Sequence, residues 1–143
     1  MNNQTRELLQ ECSSGCKMAI RSIEQITEYA REESLELILN RYRKEHENLM
    51  EEIIRLLATD GITPDEPGTM ATAMAWTNIE LKMLVDADSH QIAKVMMDGC
   101  NMGIQSASEY KNKYTEASDE SISIANRLIG IEERFMEELR GYM

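Results

Sequence analysis

Four long segments of the chain carry apolar residues at alternating steps of three and four, the spacing of one face of an α-helix. In the first segment, residues 3–31, the stripe consists of Leu9, Cys12, Cys16, Ala19, Ile23, Ile26 and Ala30. The second, which ends near residue 58, carries Leu39, Tyr42, His46, Leu49, Ile53 and Leu56. These stripes can all be buried only if the helices pack against one another. The pattern therefore predicts a helical bundle, with Ser34 as the N-cap of the second helix.

The third and fourth segments repeat the first two. Residues 89–116 carry a stripe that lies 84 positions after the first, at Ala93, Met96, Cys100, Gly103, Ala107, Tyr110 and Tyr114. Residues 119–142 carry one that lies 86 positions after the second, at Ala125, Leu128, Glu132, Phe135, Leu139 and Tyr142. The stretches GCKMAIRS (15–22) and GCNMGIQS (99–106) are also nearly identical. The chain is therefore interpreted as an internal duplication of a helical hairpin.

The connection between the hairpins is the only strongly interrupted part of the sequence. Residues 59–68, TDGITPDEPG, contain Gly61 and both prolines, which end a helix and prevent its continuation. Residues 69–85 predict a shorter helix with Trp76, Ile79 and Met83 on one side, and Asp88 with Gln91 has the spacing of a capping box. We expect one all-α domain over residues 1–143. It would be an antiparallel four-helix bundle of two hairpins, 3–58 and 89–142, joined by a long crossover, 59–88.

Charge and composition exclude several classes of function. The formal charge is −11, from 26 acidic and 15 basic residues, and such a surface repels nucleic acids and anionic membranes. No apolar run is long enough to span a membrane, and MNNQTREL lacks the apolar segment of a signal peptide. Three cysteines do not suggest a disulfide framework, so we expect a cytoplasmic protein. The sequence contains no phosphate-binding loop or catalytic triad, and it predicts neither catalytic residues nor an organic cofactor.

This plan of two hairpins and a crossover with a short extra helix resembles the ferritin-like superfamily, particularly its small bacterial four-helix-bundle proteins of unknown function. In the di-iron members, the first and third helices each supply a Glu, and the second and fourth each supply Glu-x-x-His. The resemblance places these ligands at Cys16, Cys100, Arg43 with His46, and Ile129 with Glu132. It therefore implies a degenerate di-iron site, and di-iron oxidase or ferroxidase activity ranks last among the functions.

The positions of the turns predict which stripe residues meet. With turns near residues 32 and 117, and about 1.5 Å of rise per residue, Cys16 and His46 lie at similar heights, as do Cys100 and Glu132. The duplication then brings the four side chains together at the bundle centre.

Three interpretations of this centre stay open. The cysteines could be small core residues beside a His46–Glu132 pair. Cys16, His46, Cys100 and Glu132 could instead bind Zn or Fe. Alternatively, Cys16 and Cys100 could form a disulfide or a redox-switchable dithiol.

Other residues have simpler predicted roles. Cys12, one turn before Cys16, is expected to pack in the core, and His90 is expected to be exposed near the start of the third helix. The helix at 69–85, or a face of the bundle, could also mediate homo-oligomerisation. The predicted function is a non-catalytic bundle in a structural or interaction role, with the metal or redox site as the alternative.

Overall fold

A computed structural model of the chain describes residues 1–66 and 88–143. Every regular element within these residues is helical, which confirms the predicted all-α four-helix bundle. No helix in them combines the length and the apolar character needed to cross a membrane. The four helices are α1 (Asn3–Thr27), α2 (Glu33–Ala58), α3 (Ser89–Lys113) and α4 (Asp119–Leu139), and a 3-10 turn, Arg140–Tyr142, follows α4.

Side-chain caps fix the beginnings of three helices. Asn2, Asp88 and Ser118 each accept a hydrogen bond from the backbone N–H three residues later, at the starts of α1, α3 and α4. The prediction for α2 was wrong, because that helix begins at Glu33 without a side-chain cap. The Ser34 hydroxyl instead contacts the Tyr142 hydroxyl at 2.5 Å and ties the start of α2 to the end of the chain.

Three helices end earlier than predicted. The structure ends α1 at Thr27, α3 at Lys113 and α4 at Leu139 rather than at residues 31, 116 and 142. After Thr27, the backbone N–H groups of Tyr29 and Ala30 bond carbonyls only three residues back, which tightens the chain into a turn. The apolar periodicity continues through these turns, so it could not reveal their ends.

Long-range hydrogen bonds establish that the helices are antiparallel. The start of α1 lies against the α3–α4 turn, because Asn2 Nδ2 donates to the Glu116 carbonyl and the Ser118 N–H donates to the Thr5 hydroxyl. At the opposite end of the bundle, Ser34 meets Tyr142. The end of α2 and the start of α3 therefore lie at opposite ends of the bundle, as the predicted crossover requires.

The described part of the crossover runs along α1. Gln10 exchanges hydrogen bonds with Thr63 and Asp65, and farther along the helix Lys17 and Arg21 both reach Glu66. The chain thus travels from the end of α2 back along α1. The helix predicted over residues 69–85, with Trp76, Ile79 and Met83, lies outside the described residues.

The core combines the predicted stripes of all four helices. Most stripe positions are buried, and the Tyr42 and Phe135 rings stack at the centre with centroids 4.6 Å apart. Some outer stripe residues, such as Ala19 and Gly103, are only partly buried. The buried face is also wider than a narrow seam. It includes apolar neighbours that the stripes missed, among them Leu8, Leu35, Leu57, Ile92, Ile124 and Ile131.

Candidate functional site in the bundle centre

His46 lies at the middle of α2 and is completely buried. Its Nδ1 atom is 2.7 Å from the carbonyl oxygen of Tyr42, one turn earlier, and its Nε2 atom contacts Oε1 of Glu132 on α4. Because a carbonyl oxygen can only accept a hydrogen bond, Nδ1 carries a hydrogen and donates it. The second proton then lies between Nε2 of His46 and Oε1 of Glu132.

This contact pairs an imidazole with a carboxylate inside the core. Burial opposes a charged imidazole, but the hydrogen bond that His46 donates to Glu132 and the charge of that carboxylate outweigh burial, so the pKa of His46 is raised above its usual value. The arrangement favours an imidazolium facing a carboxylate. Both partners are almost inaccessible, with Glu132 only 5% exposed. The pair therefore satisfies two groups that would each be costly to bury alone.

The cysteines stand close to the same carboxylate as protonated thiols. Cys16 and Cys100 are both buried and both free, so no disulfide joins them in the structure. The Cys100 thiol lies close enough to Glu132 for the charge of the carboxylate to affect its ionisation. Burial, followed by the charge of Glu132, raises the pKa of that thiol far above its ordinary value. Burial together with the neighbouring Cys12 and Glu132 does the same to the pKa of Cys16.

Of the four predicted residues, His46 and Glu132 are in direct contact, and the two cysteines lie near the same carboxylate. Glu132 contacts His46 and lies near enough to Cys16 and Cys100 to affect the ionisation of both thiols. A glycine makes room for it, because a β-carbon on Gly103 would lie 3.3 Å from Glu132 Oε2. The heights predicted from the turns thus placed His46 opposite Glu132.

The donors do not fit the di-iron centre that the ferritin-like resemblance implies. Arg43 pairs with Glu47, and Ile129 is a half-buried aliphatic residue, so neither supplies a bridging carboxylate. Within residues 1–66 and 88–143, no group of three or more His, Cys, Asp or Glu side chains is arranged to hold a metal ion. Thiol ligands must also lose their protons to bind a metal, which the raised pKa values of Cys16 and Cys100 oppose.

The remaining candidates lie where the sequence predicted. Cys12 is buried in the core, and burial raises the pKa of its thiol to about 12. His90 is exposed in the first turn of α3. The sequence did not reveal the Tyr42 carbonyl as a partner of His46, since a backbone acceptor leaves no mark on residue identity.

Comparison with known proteins finds one family and one fold relative. The family model of a domain of unknown function, DUF2383, matches residues 4–120. No curated protein matches the chain. Among solved structures, the chain is similar to YcfI from Rhodopseudomonas palustris, described as "a putative structural protein", with a TM-score of 0.75. The two are 13% identical over 98% of this chain and 94% of that one, so the likeness concerns the fold alone. Because the family model spans well over half of the sequence, this protein belongs to the DUF2383 family, whose function is unknown.

Proposed function

We propose that this protein is a non-catalytic helical bundle that acts in a structural or interaction role. The observation that carries this proposal is that the polar groups at the bundle centre satisfy one another. His46 bridges the Tyr42 carbonyl and Glu132, and burial beside the same carboxylate raises the pKa of the Cys16 and Cys100 thiols. A catalytic or metal centre needs an ionised nucleophile or an open coordination position. The protonated thiols and the paired imidazole offer neither.

The fold relative supports the same proposal. YcfI is described as "a putative structural protein", and the likeness extends over the whole fold rather than one site. We also infer that the bundle is a ferritin-like one in which the di-iron site has become a packed core. The antiparallel pairing and the connection that runs back along α1 support this relationship. In it, the His46–Glu132 pair takes the place of bridged metal ions.

The free thiols and the shared core support proposals about the location and the domain organisation of the protein. Three free cysteines suit the reducing cytoplasm, which we propose as its location. Buried residues of all four helices form one hydrophobic cluster, which supports a single domain over the chain. Self-association through a face of the bundle stays a prediction, and the alternative face at 69–85 lies outside the described residues.

A metal or redox site stays the alternative function for the centre. In that alternative, Cys16, His46, Cys100 and Glu132 would bind Zn or Fe, or the two cysteines would form a switchable disulfide. What favours it is the meeting of His46 and both thiols at Glu132. Metal binding would have to release the thiol protons and separate His46 from its partner.

The deciding experiment measures Zn and Fe in protein purified without added metal. We expect much less than one ion per chain, and no change in Cys16→Ser or Cys100→Ser. Cys12→Ser is the matched control, because Cys12 is an equally buried thiol one turn away from Cys16. The proposal fails if the wild type and the Cys12→Ser variant hold one ion per chain and the other two variants lose it.

The redox form of the alternative needs a separate measurement. Mild oxidation with diamide followed by thiol counting should leave three free thiols in the native protein, since all three are buried. Loss of two thiols in the wild type, but none in Cys16→Ser or Cys100→Ser, would establish the switchable disulfide and overturn the proposal.

A further inference from the structure

A long groove separates α1 from α3. Its volume is about 360 Å³, within the range of about 300–1,000 Å³ typical of binding pockets. It runs from Glu11 to Ile23 on α1 and from Val95 to Tyr110 on α3. At about 1.5 Å per residue, the wall on α1 is about 18 Å long. The floor consists of three residues of α4, which are Leu128, Glu132 and Phe135.

The repeated sequence motif forms the walls of this groove. Four positions of GCKMAIRS and the four equivalent positions of GCNMGIQS line it, and most of them are glycine, alanine or serine. Small residues at the same level on two neighbouring helices leave space between them. The two copies of the motif therefore share the small residues that line the groove. They do not share the cysteine in this respect, since Cys100 lines the groove and Cys16 does not. The six small residues at these positions are Gly15, Ala19, Ser22, Gly99, Gly103 and Ser106.

The lining is apolar, adaptable and acidic. Methionines on both walls can change conformation to fit different apolar surfaces, and Met102 is among the most exposed large apolar residues in the described chain. The charged residues on the two walls are Glu11 and Asp98, whereas Glu132 in the floor is paired with His46; among the described residues that line the groove, none is a lysine or arginine. The whole chain carries a charge of −11. The groove therefore complements a surface that is apolar and flanked by positive charge.

We propose that this groove binds an amphipathic helix of a partner protein, with lysine or arginine beside the apolar face of that helix. This inference rests on the proposed function as an interaction bundle and names its class of partner. A helix presents apolar anchors on one face at steps of three and four, and such a face fits a straight groove between two helices. The groove length corresponds to about 12 residues of helix. Small residues on both walls allow the partner backbone to approach closely.

The experiment measures binding of a designed peptide by fluorescence anisotropy. The probe is a labelled amphipathic helix of about 14 residues, built from leucine and lysine in helical spacing. Its matched control replaces every lysine with glutamate. We expect the basic peptide to bind and the acidic one to bind at least about tenfold more weakly, with affinity for the basic peptide falling as salt screens the charges.

Gly99→Leu tests whether the groove is the binding site. A β-carbon at Gly99 meets no atom within 4 Å, so a leucine fills the groove without disturbing the fold. A β-carbon at Gly141 is equally free, and Gly141 lies outside the groove, which makes Gly141→Leu the control. We expect Gly99→Leu to weaken binding at least about tenfold, a difference of about 1.4 kcal/mol. Gly141→Leu should bind like the wild type, and circular dichroism should show both variants folded.

Other occupants of the groove would give different results. Equal binding of both peptides, or equal binding to Gly99→Leu and the wild type, would overturn the inference. So would finding that the wild type is a dimer which Gly99→Leu dissociates, because the groove would then take a second copy. A free peptide of residues 69–85 that binds more tightly than the basic probe would also overturn it. None of these results alters the metal content, so the inference and the proposed function can fail separately.

Discussion

The two seams between the duplicated hairpins are filled in opposite ways. Across the α2–α4 seam, Tyr42 stacks on Phe135 and His46 pairs with Glu132. Ion pairs close the outer edge of this seam, including Arg127 with Glu52, Arg134 with Glu45 and Arg41 with Glu138.

Small residues leave the α1–α3 seam open over the same length. Gly99 and Gly103 are the residues without side chains on the α3 wall of this groove. Only the glycine at 103 touches the centre, at Glu132. The comparison teaches that two seams of one duplicated fold can be specialised separately. Large and paired side chains fill one seam, whereas the other, within residues 1–66 and 88–143, leaves a groove.

The largest expected effect comes from breaking the polar pair in the closed seam. Glu132→Leu removes the partner of His46 Nε2 and leaves an imidazole buried and unsatisfied, which should cost about 3–5 kcal/mol of unfolding free energy. Urea denaturation followed by circular dichroism measures this cost. A double variant, His46→Leu with Glu132→Leu, should recover most of the loss, because no buried polar group is then left alone. If the double variant instead loses as much stability as the two single variants, Glu132→Leu and His46→Leu, lose together, the two side chains do not stabilise the fold as a pair.

The same pair makes stability depend on pH with a definite sign. Because the pKa of His46 is raised in the folded protein, the folded state holds the proton more tightly than the unfolded state does. This contribution is fully present below the unfolded value of about 6.5 and is lost as pH rises through the folded pKa, with a slope of at most about 1.4 kcal/mol per pH unit. The measurement is the unfolding free energy of the wild type minus that of His46→Gln between pH 6 and 9. A difference that grows with pH would contradict the ion pair.

The sequence predicted the closed seam better than the open one. Apolar periodicity predicted four helices and most of their buried stripe positions, because burial requires apolar residues at helical spacing. Turn positions then placed His46 opposite Glu132, since rise per residue is constant along a helix. Both steps depend on residue spacing alone.

Features that depend on side-chain size in three dimensions were not predictable. The predicted stripes include Ala19 and Gly103 as core positions, whereas in the structure both residues line a groove. Small and large residues occupy the same position in a periodic pattern, so periodicity cannot distinguish a filled seam from an open one. Helix ends were also missed, because backbone turns after Thr27 interrupt a pattern that continues in sequence.

A smaller effect separates two glycines in the open seam. Gly99→Ala should stabilise the protein by about 0.5–1 kcal/mol, because a helix-interior glycine costs conformational entropy and its added β-carbon meets nothing. Gly103→Ala should lose this gain, since its β-carbon would lie 3.3 Å from Glu132 Oε2 and would displace the carboxylate. Thermal unfolding of the two variants side by side measures the difference. Equal stabilisation would mean that the Glu132 carboxylate does not need the space that Gly103 leaves for it.

The smallest effect comes from the ion pairs at the outer edge of the closed seam. Arg127 donates from Nη1 and Nη2 to the two carboxylate oxygens of Glu52, and these hydrogen bonds lower the pKa of Glu52. Both side chains are well exposed, at 49% and 36%, so water and salt screen their attraction. Arg127→Gln should therefore cost only about 0.2–1 kcal/mol.

Salt separates the charge of Arg127 from its packing. In 1 M NaCl the screening length falls to about 3 Å, so the cost of Arg127→Gln should largely disappear. The control is Arg140→Gln, which removes an exposed pair with Glu137 at the end of the bundle and should change stability less at either salt concentration. A cost that persists in high salt would show that the aliphatic stem of Arg127 closes the seam by packing. In that case side-chain size, rather than charge, would distinguish the two seams throughout.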